Sequence, residues 1–398
     1  LQNGYLDHAV YESEKQMPLK SVQNGDFESF RSTIPPRDYF TDEIRRQLSR
    51  NFGEETFFTG GMTIRATLDP DLQDIAREAL QRALEAYDRN QGIWRGTGIS
   101  LPLEVLEDEN NWRAALSLAE VPRDITLDGQ WRPAVVLQLG QSSARIGIEG
   151  ILDTSDGHWI PASDVVWATK VEQNKRITKK AKLAKDLLSV GDVVLVRRLL
   201  NDDGSFLHWS LRQVSEVQGG FMAMDVNSGR ILAMQGGFSY DASVFNRATQ
   251  ANRQPGSSFK PFVYAAALDS GYSPATIVVD APIEIDTPEG LWTPQNASKK
   301  FYGPTPLRTG IEQSRNLMTI RLAREVGMDV IGGYAERFGV YQNMGQFLAN
   351  SLGSEETTLY KMVAAYAMFA NGGERVIPTL VDRVQDRYGK TVYQHDSR

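Results

Sequence analysis

The chain has 398 residues, of which 41% are hydrophobic and 23% charged, the balance of a globular protein with two or three domains. Its formal net charge is −7 and its basic block KRITKKAKLAK is short, which argues against nucleic acid as a partner. With no cysteine and only four scattered histidines, it excludes disulfides and thiolate chemistry and argues against a histidine triad or a zinc site.

Polar residues dominate the first 60 positions, where IPPRDYFTDEIRRQL is the strongly patterned stretch. The opening LQNGYLDHAVYESEKQMPLK is typical of the end of a helical domain rather than of a natural start. At the other end, GKTVYQHDSR stops inside a predicted strand hairpin. We therefore expect the chain to be cut at both ends. No apolar run reaches the roughly 18 residues that a membrane span needs.

A long helix is predicted from Pro70 onwards. Asp69 is a good N-cap, and proline is favoured at the first helical position. Apolar residues then recur at helical spacing and predict one packed stripe: Leu72, Ile75, Ala76, Ala79, Leu80, Ala83, Leu84 and Tyr87. We expect a connector helix, and we assign residues 1–93 to the end of a preceding domain and a linker.

Short alternating runs replace this pattern over residues 94–216. AVVLQLG, ARIGIEG, GDVVLVRRL and HWSLRQV are each typical of a half-buried strand, and turns rich in glycine and aspartate separate them. Several short strands without long helices predict a small OB-like β-barrel. The acidic balance and the lack of a basic, aromatic face argue against nucleic-acid binding, so a protein-docking or spacer role is favoured.

Residues 217–398 predict a third domain of α/β or α+β type. FMAMDV and ILAMQGG flank NSGR, a tight hairpin signature. PGSSFKPFVYAAALDSG, SRNLMTIRLAREVG and TTLYKMVAAYAMFANGG are predicted helices that end at glycines. The third is expected to present one core face, made of Leu359, Met362, Val363, Tyr366 and Phe369.

The stretch PGSSFKPF places Lys260 three residues after Ser257, on the same face of a helix. A serine hydroxyl becomes a nucleophile when a base takes its proton, and a lysine serves as that base if burial lowers its pKa. The N–H groups and positive dipole at a helix start would stabilise an oxyanion. The alternative is a plain helix start, capped by Ser257 or Ser258 with Lys260 in solvent.

A second element follows in GIEQSRNLMTI, just ahead of a helix. Ser314 and Asn316 stand at S-x-N spacing there. Ser314 would relay a proton between Lys260 and a leaving amine, and Asn316 would hold a substrate amide. The alternative for this pair is a helix N-cap.

S-x-x-K followed by S-x-N is, together with K-T-G, the signature of penicillin-binding proteins and class A β-lactamases. The surrounding sequence resembles class A penicillin-binding proteins, most of all the 1A type of Gram-negative bacteria, over nearly the whole chain. The segments that carry this resemblance are GGMTIRATLDPDLQ, VQGGFMAMDVNSGRILAMQGG, FNRATQANRQPGSSFKPFVYAAALDSGYSPAT, WTPQNASKKFYGPTPLRTGIEQSRNLMTIRLA and LGSEETTLYKMVAAYAMFANGG.

The resemblance implies a serine-type D-Ala-D-Ala transpeptidase or carboxypeptidase at the periplasmic face of the bacterial inner membrane, with no metal or cofactor. The nucleophile falls on Ser257, the general base on Lys260, the proton relay on Ser314 and the substrate-holding asparagine on Asn316. The implied partners are peptidoglycan stem peptides, β-lactams and an outer-membrane lipoprotein activator at the OB-like domain. The implied fold is this barrel followed by a transpeptidase domain, with helices around an antiparallel sheet.

Two features of the family pattern are not found. The glycosyltransferase domain, with its membrane anchor, is represented only by its last residues, and Lys390-Thr391 is followed by Val392 instead of the glycine of K-T-G. We expect QDRYGKTVYQ to be the hairpin before that motif's region, so the transpeptidase domain is expected to be truncated at its C-terminal end. Two alternatives remain: a serine β-lactamase-like hydrolase and a non-catalytic scaffold that binds a partner.

Overall fold

The computed structural model describes residues 8–15, 17, 37–152, 157–172, 175–176, 180–288 and 290–396. The chain divides into two units, residues 1–38 and residues 39–398. In the first unit, helix α1 (His8–Lys15) is described, and most of the opening segment lies outside the described residues. The elements that follow belong to the second unit. No helix in the described ranges is long and apolar enough to cross a membrane.

The predicted connector helix is present, and its buried face agrees only in part with the expected one, since Ala76 and Leu84 are buried. The elements of this part are α2 (Tyr39–Phe52), α3 (Glu54–Thr59), β1 (Thr63–Ala66) and α4 (Pro70–Gln91). Asp69 caps α4 by accepting from the N–H groups of Asp71 and Leu72, as predicted. The predicted apolar stripe is wrong in part, because Leu72, Ile75 and Tyr87 are 38%, 63% and 50% exposed.

Three polar residues share the buried face of α4 with Ala76 and Leu84. Gln73 donates to the carbonyl of Met234 and Gln81 to that of Phe238, at 3.0 and 2.7 Å. Asp88 accepts from Gln213 Nε2 at 2.7 Å. Hydrophobic periodicity misses this face because its polar groups find hydrogen-bond partners far away in the sequence.

The middle region is the predicted barrel. Its elements are β2 (Ile93–Trp94), α5 (Glu109–Leu118), β3 (Trp131–Leu139), β4 (Ala144–Ile148), β5 (His158–Ile160), β6 (Thr169–Glu172), β7 (Lys175–Arg176), β8 (Val193–Leu200) and β9 (Phe206–Arg212). Five strands form an antiparallel sheet in the order β5-β4-β3-β8-β9. Its two outer strands touch, since Trp209 Nε1 donates to His158 Nδ1 at 3.2 Å. The sheet therefore nearly closes, which confirms the OB-like fold.

The last region combines small sheets with packed helices, as predicted. Its elements are β10 (Phe221–Met224), β11 (Ile231–Gln235), α6 (Lys260–Asp269), β12 (Ile277–Asp280), β13 (Ile285–Thr287), β14 (Gly290–Trp292), β15 (Gly303–Pro306), α7 (Leu307–Glu312), α8 (Asn316–Val326), α9 (Met328–Arg337), α10 (Leu359–Ala370), β16 (Val381–Gln385) and β17 (Thr391–Gln394). The β10–β11 and β16–β17 hairpins confirm two predicted turns.

Helix α6 lies at the centre of this region. It is apolar on nearly all sides, and most of its residues are buried against α8, α9 and α10. The core face predicted for α10 is wrong in part: Met362 is buried, whereas Tyr366 and Phe369 are 40% and 43% exposed. Tyr366 borders an open cleft beside β10, and Phe369 packs one side of its ring on Phe262 and Phe338.

Candidate active site

Ser257 and Lys260 lie on one tight turn at the start of α6. A 3₁₀ turn (Gly256–Phe259) precedes the helix, so two side chains three residues apart point in nearly the same direction. Gly256 enters this turn at φ 57°, a left-handed conformation that favours glycine. Ser257 is exposed at the surface, and Lys260 is 1% exposed. The turn therefore places an accessible hydroxyl one helical turn from a buried amine.

Neither serine caps this helix. No side chain caps the 3₁₀ turn or α6, and Ser258 Oγ donates to the carbonyl of Pro255 at 2.6 Å rather than accepting from an N–H. The alternative of a plain capped helix start with a solvated lysine is therefore wrong. In the described structure the N–H of Ser257 has no acceptor, which leaves it available to a substrate oxyanion.

Lys260 reaches across to the S-x-N segment. Its Nζ donates to the carbonyl of Ser314 at 2.7 Å, to Ser314 Oγ at 3.0 Å and to Asn316 Oδ1 at 2.6 Å. All three acceptors are neutral oxygens. Burial lowers the pKa of Lys260 from its ordinary 10.5 to about 8, since desolvation penalises the charged amine.

Ser314 and Arg315 lie in the short connection between α7 and α8, and Asn316 is the first residue of α8. Ser314 has φ 52°, a conformation that costs a non-glycine residue energy and is common at functional sites. Helix α8 begins at Asn316, and its N-cap position is Arg315, whose side chain makes no capping bond. The alternative of an N-cap pair is therefore wrong, and both polar side chains are free to hold Lys260.

Asn316 is already engaged on both sides of its amide. Its Oδ1 accepts from Lys260, and its Nδ2 donates to the carbonyl of Gln295 at 2.9 Å. One N–H and one lone pair remain available to a substrate. The structure thus brings Lys260, Ser314 and Asn316 into direct contact, while in the described structure Ser257 Oγ makes no hydrogen bond with Lys260 Nζ.

Two further residues hold the serine turn in place, and sequence reasoning did not single them out. Gly353 (φ 74°) packs its backbone directly on Gly256. A Cβ added to Gly353 would lie 2.2 Å from the Gly256 carbonyl oxygen. Tyr366 Oη donates to the carbonyl of Ser258 at 2.7 Å. The only sequence signal for them is that both stand in LGSEETTLYKMVAAYAMFANGG, one of the segments that carry the family resemblance.

Comparison with known proteins places these features in a family. Residues 94–217 match the penicillin-binding protein OB-like domain, and residues 219–397 match the penicillin-binding protein transpeptidase domain. The chain belongs to the penicillin-binding proteins. The expected family and fold class are thereby confirmed. Within the described ranges, no group of three or more histidine, aspartate or glutamate side chains could hold a metal ion.

Relatives of the 1A type match along the whole chain. Penicillin-binding protein 1A of Rickettsia bellii is 35% identical over 100% of this chain and 46% of its own length. That of Vibrio cholerae is 31% identical over 100% of this chain and 47% of its own. The crystal structure of penicillin-binding protein 1A from Haemophilus influenzae superposes with a TM-score of 0.75 at 28% identity, covering 99% of this chain and 54% of that one. The chain thus spans about half the length of these relatives.

Proposed function

We propose that this chain carries the D,D-transpeptidase activity of a peptidoglycan synthase. The observation that supports it best is Lys260, a buried amine held by Ser314 and Asn316 one turn from an exposed serine. A lysine without a nearby carboxylate is costly to bury for packing alone but suits a base that must lose its proton near neutral pH.

In the proposed acylation, Ser257 Oγ attacks the carbonyl carbon of the penultimate D-alanine of a stem peptide. The serine proton passes to neutral Lys260, and the Ser257 N–H donates to the oxyanion. Neutral lysine has two N–H groups, so it keeps only two of its three bonds to the S-x-N segment and turns its lone pair toward the serine. The C–N bond then breaks, and terminal D-alanine leaves with a proton relayed through Ser314.

In the deacylation step, the amine of a neighbouring stem peptide attacks the acyl-serine. The amine proton passes through Lys260 to Ser257 Oγ as the ester bond breaks, which leaves a cross-linked peptide and free serine. Water in place of the amine would give carboxypeptidase activity. A β-lactam would acylate Ser257 by the same route, with its ring amide as the bond that breaks. The site would then face the periplasm, where stem peptides occur.

Labelling with a fluorescent penicillin tests this proposal. In the complete gene product, Ser257→Ala should abolish the label, and peptide mapping of the wild type should find it on Ser257. Ser258→Ala is the matched control and should still be labelled, because Ser258 Oγ faces only the Pro255 carbonyl. Label on the Ser257→Ala protein would refute the nucleophile, and rapid release of the label would favour a β-lactamase-like hydrolase instead.

We also propose that the barrel docks an outer-membrane lipoprotein activator. Apolar side chains at the end of β8 and the start of β9 support this, since Leu200, Phe206 and Leu207 are 51%, 44% and 50% exposed. Leu200 and Phe206 line a cleft of about 530 Å³ together with Trp209 and Arg198. Phe206→Ser with Leu207→Ser should abolish stimulation of cross-linking by the activator and leave penicillin labelling intact. Val244→Ser, at a 62% exposed position in the transpeptidase region, is the control. Unchanged stimulation would place the docking surface elsewhere.

A further inference from the structure

A buried pair on the far side of the S-x-N segment, Asp280 and Asn296, has no part in the chemistry above. Asp280 ends β12 and is 0% exposed, and Asn296 is 4% exposed. Asn296 Nδ2 lies 2.7 and 3.0 Å from the two carboxylate oxygens of Asp280. A buried carboxylate is costly unless its partners are well placed, so this pair constrains the surrounding structure.

Asp280 determines which way the amide of Asn296 faces. A carboxylate only accepts hydrogen bonds, so Nδ2 must point toward it, and the carbonyl of Lys300 at 2.9 Å imposes the same orientation. The Asn296 Oδ1 therefore faces the other way, where it accepts from the N–H of Leu317 at 3.2 Å. This bond caps the first turn of α8 from a distance, the role that Arg315 at the N-cap position leaves vacant.

The residue before Asn296 fixes the amide of Asn316 in the same manner. The carbonyl of Gln295 only accepts, so Asn316 Nδ2 points to it and Asn316 Oδ1 is left facing Lys260 Nζ. A flipped Asn316 amide would set an N–H group against the lysine amine. The segment 295–296 thus touches both of the first two residues of α8.

Arg315, the middle residue of S-x-N, closes this arrangement. Its Nε lies 4.0 Å from Asp280 Oδ2, and its guanidinium carbon lies 3.4 Å from the ring centroid of Tyr302. The backbone N–H of Tyr302 donates to the Asp280 carbonyl at 3.2 Å. Asp280 is therefore tied both to the helix cap and to the S-x-N loop itself.

We propose that Asp280 and Asn296 are positioning residues for acylation, which set the orientation of Asn316 and the first turn of α8 and thereby the acceptors that hold Lys260. The proposal rests on the proposed function of Ser257 and Lys260. Neither side chain touches the lysine, so their effect reaches the reacting atoms only through residues 295 and 314–317. A shift of about 1 Å at such a distance costs up to about a hundredfold in rate.

Two isosteric variants and their combination test the proposal by the rate of penicillin acylation in the complete gene product. Asn296→Asp sets two carboxylates against each other, and Asp280→Asn removes the carboxylate that orients the Asn296 amide and leaves only the Lys300 carbonyl to hold Nδ2. We expect each to lower the limiting acylation rate about tenfold or more, with an unchanged half-saturating penicillin concentration. The double variant Asp280→Asn/Asn296→Asp restores a donor facing an acceptor and keeps an acceptor at Leu317 N–H, but it leaves the Lys300 carbonyl without its donor. It should therefore recover part of the rate lost in Asn296→Asp.

The acylation rate and the fraction of protein labelled separate a positioning role from a folding role. A misplaced site lowers the rate, whereas misfolding lowers the labelled fraction. Asp382→Asn is the matched control, because it removes a carboxylate paired with Arg230 away from the S-x-N loop; it should lower stability only. Three results would each overturn the proposal. Both single variants could be acylated at the wild-type rate, or they could show a smaller labelled fraction with an unchanged rate. The double variant could also be acylated no faster than Asn296→Asp. If Asn296→Asp does not fold, the acylation rate of Asp280→Asn alone decides whether the proposal stands. Label on Ser257→Ala would instead mean that the proposed function has failed.

Discussion

The barrel and the transpeptidase region both bury cations, but in opposite ways. In the barrel, Arg197 and Arg212 are 8% and 7% exposed, and each has a carboxylate partner within 2.9 Å, Asp128 and Glu85 respectively. Lys260 is 1% exposed, and among the residues that the structure describes its hydrogen-bond acceptors are all neutral oxygens. A counter-ion keeps a buried cation charged, whereas a buried cation without a counter-ion gives up its proton more easily.

The pKa values follow this difference. Burial lowers the pKa of Arg212 to about 10, with Glu85 opposing the shift, so the guanidinium stays charged at neutral pH. Burial lowers the pKa of Lys260 to about 8, with no charged group opposing it, so near neutral pH a useful fraction is neutral. The missing carboxylate beside Lys260 is thus the feature that turns a buried cation into a candidate base.

The largest expected effect comes from Lys260→Arg. A guanidinium does not lose its proton near neutral pH, so acylation of Ser257 should fall by about a thousandfold. Arg212→Lys in the barrel is the matched control, because it also exchanges a buried cation but leaves acylation unchanged. Rapid penicillin labelling of the Lys260→Arg protein would mean that another group takes the serine proton.

The pH dependence of acylation should report the same lysine. Because the neutral amine is the base, the rate should fall about tenfold per pH unit below the Lys260 pKa and reach a plateau above about 8. Stopped-flow labelling from pH 6 to 10 measures this profile. A rate that keeps rising beyond pH 10 would show an unshifted lysine, and a flat profile would exclude it as the base.

Gly353→Ala should lower the rate of Ser257 acylation by a few tens of fold. The new Cβ would lie 2.2 Å from the Gly256 carbonyl oxygen, so the turn that carries Ser257 must move. Gly372→Ala is the control: its φ of 84° strains alanine equally, but nothing lies within 4 Å of the added carbon. Both variants should lose some thermal stability, and only Gly353→Ala should lose rate. Equal acylation rates in Gly353→Ala and Gly372→Ala would show that Gly353 does not hold the turn that carries Ser257.

The smallest effect on acylation should come from breaking a barrel ion pair. Glu85→Gln leaves buried Arg212 without its charge partner and should cost about 1–3 kcal/mol of unfolding free energy, measured by chemical denaturation. Labelling of Ser257 and its pH midpoint should not change. A shifted pH midpoint would mean that this ion pair influences the pKa of Lys260. That result would contradict the view that the two buried cations behave independently.

Local spacing in the sequence predicted much of the site. Ser257 with Lys260, and Ser314 with Asn316, are close in the chain, so their chemistry is visible in short motifs, and the barrel strands follow from alternation. Their roles in catalysis stay predictions. Asp280, Asn296 and Gly353 escaped notice because each acts through a partner from another element, and no periodicity in the sequence indicates such a contact.

The same reason explains the errors in the helices. The buried face of α4 carries Gln73, Gln81 and Asp88, whose partners lie more than 100 residues further along the chain. Hydrophobic spacing counts those positions as exposed. In α10 the spacing of Tyr366 and Phe369 is that of a core face, but both are partly exposed, Tyr366 at the cleft beside β10.

The most direct test of the account is the pKa of Lys260 itself. Lysine labelled with ¹³C at Cε and ¹⁵N at Nζ can be titrated by NMR in the complete gene product, with Lys260→Arg identifying the resonance by its loss. We predict that this one signal titrates near pH 8, because the amine is buried without a counter-ion. Titration of Lys260 above pH 10, with the exposed lysines, would contradict the central claim that burial makes it the base for Ser257.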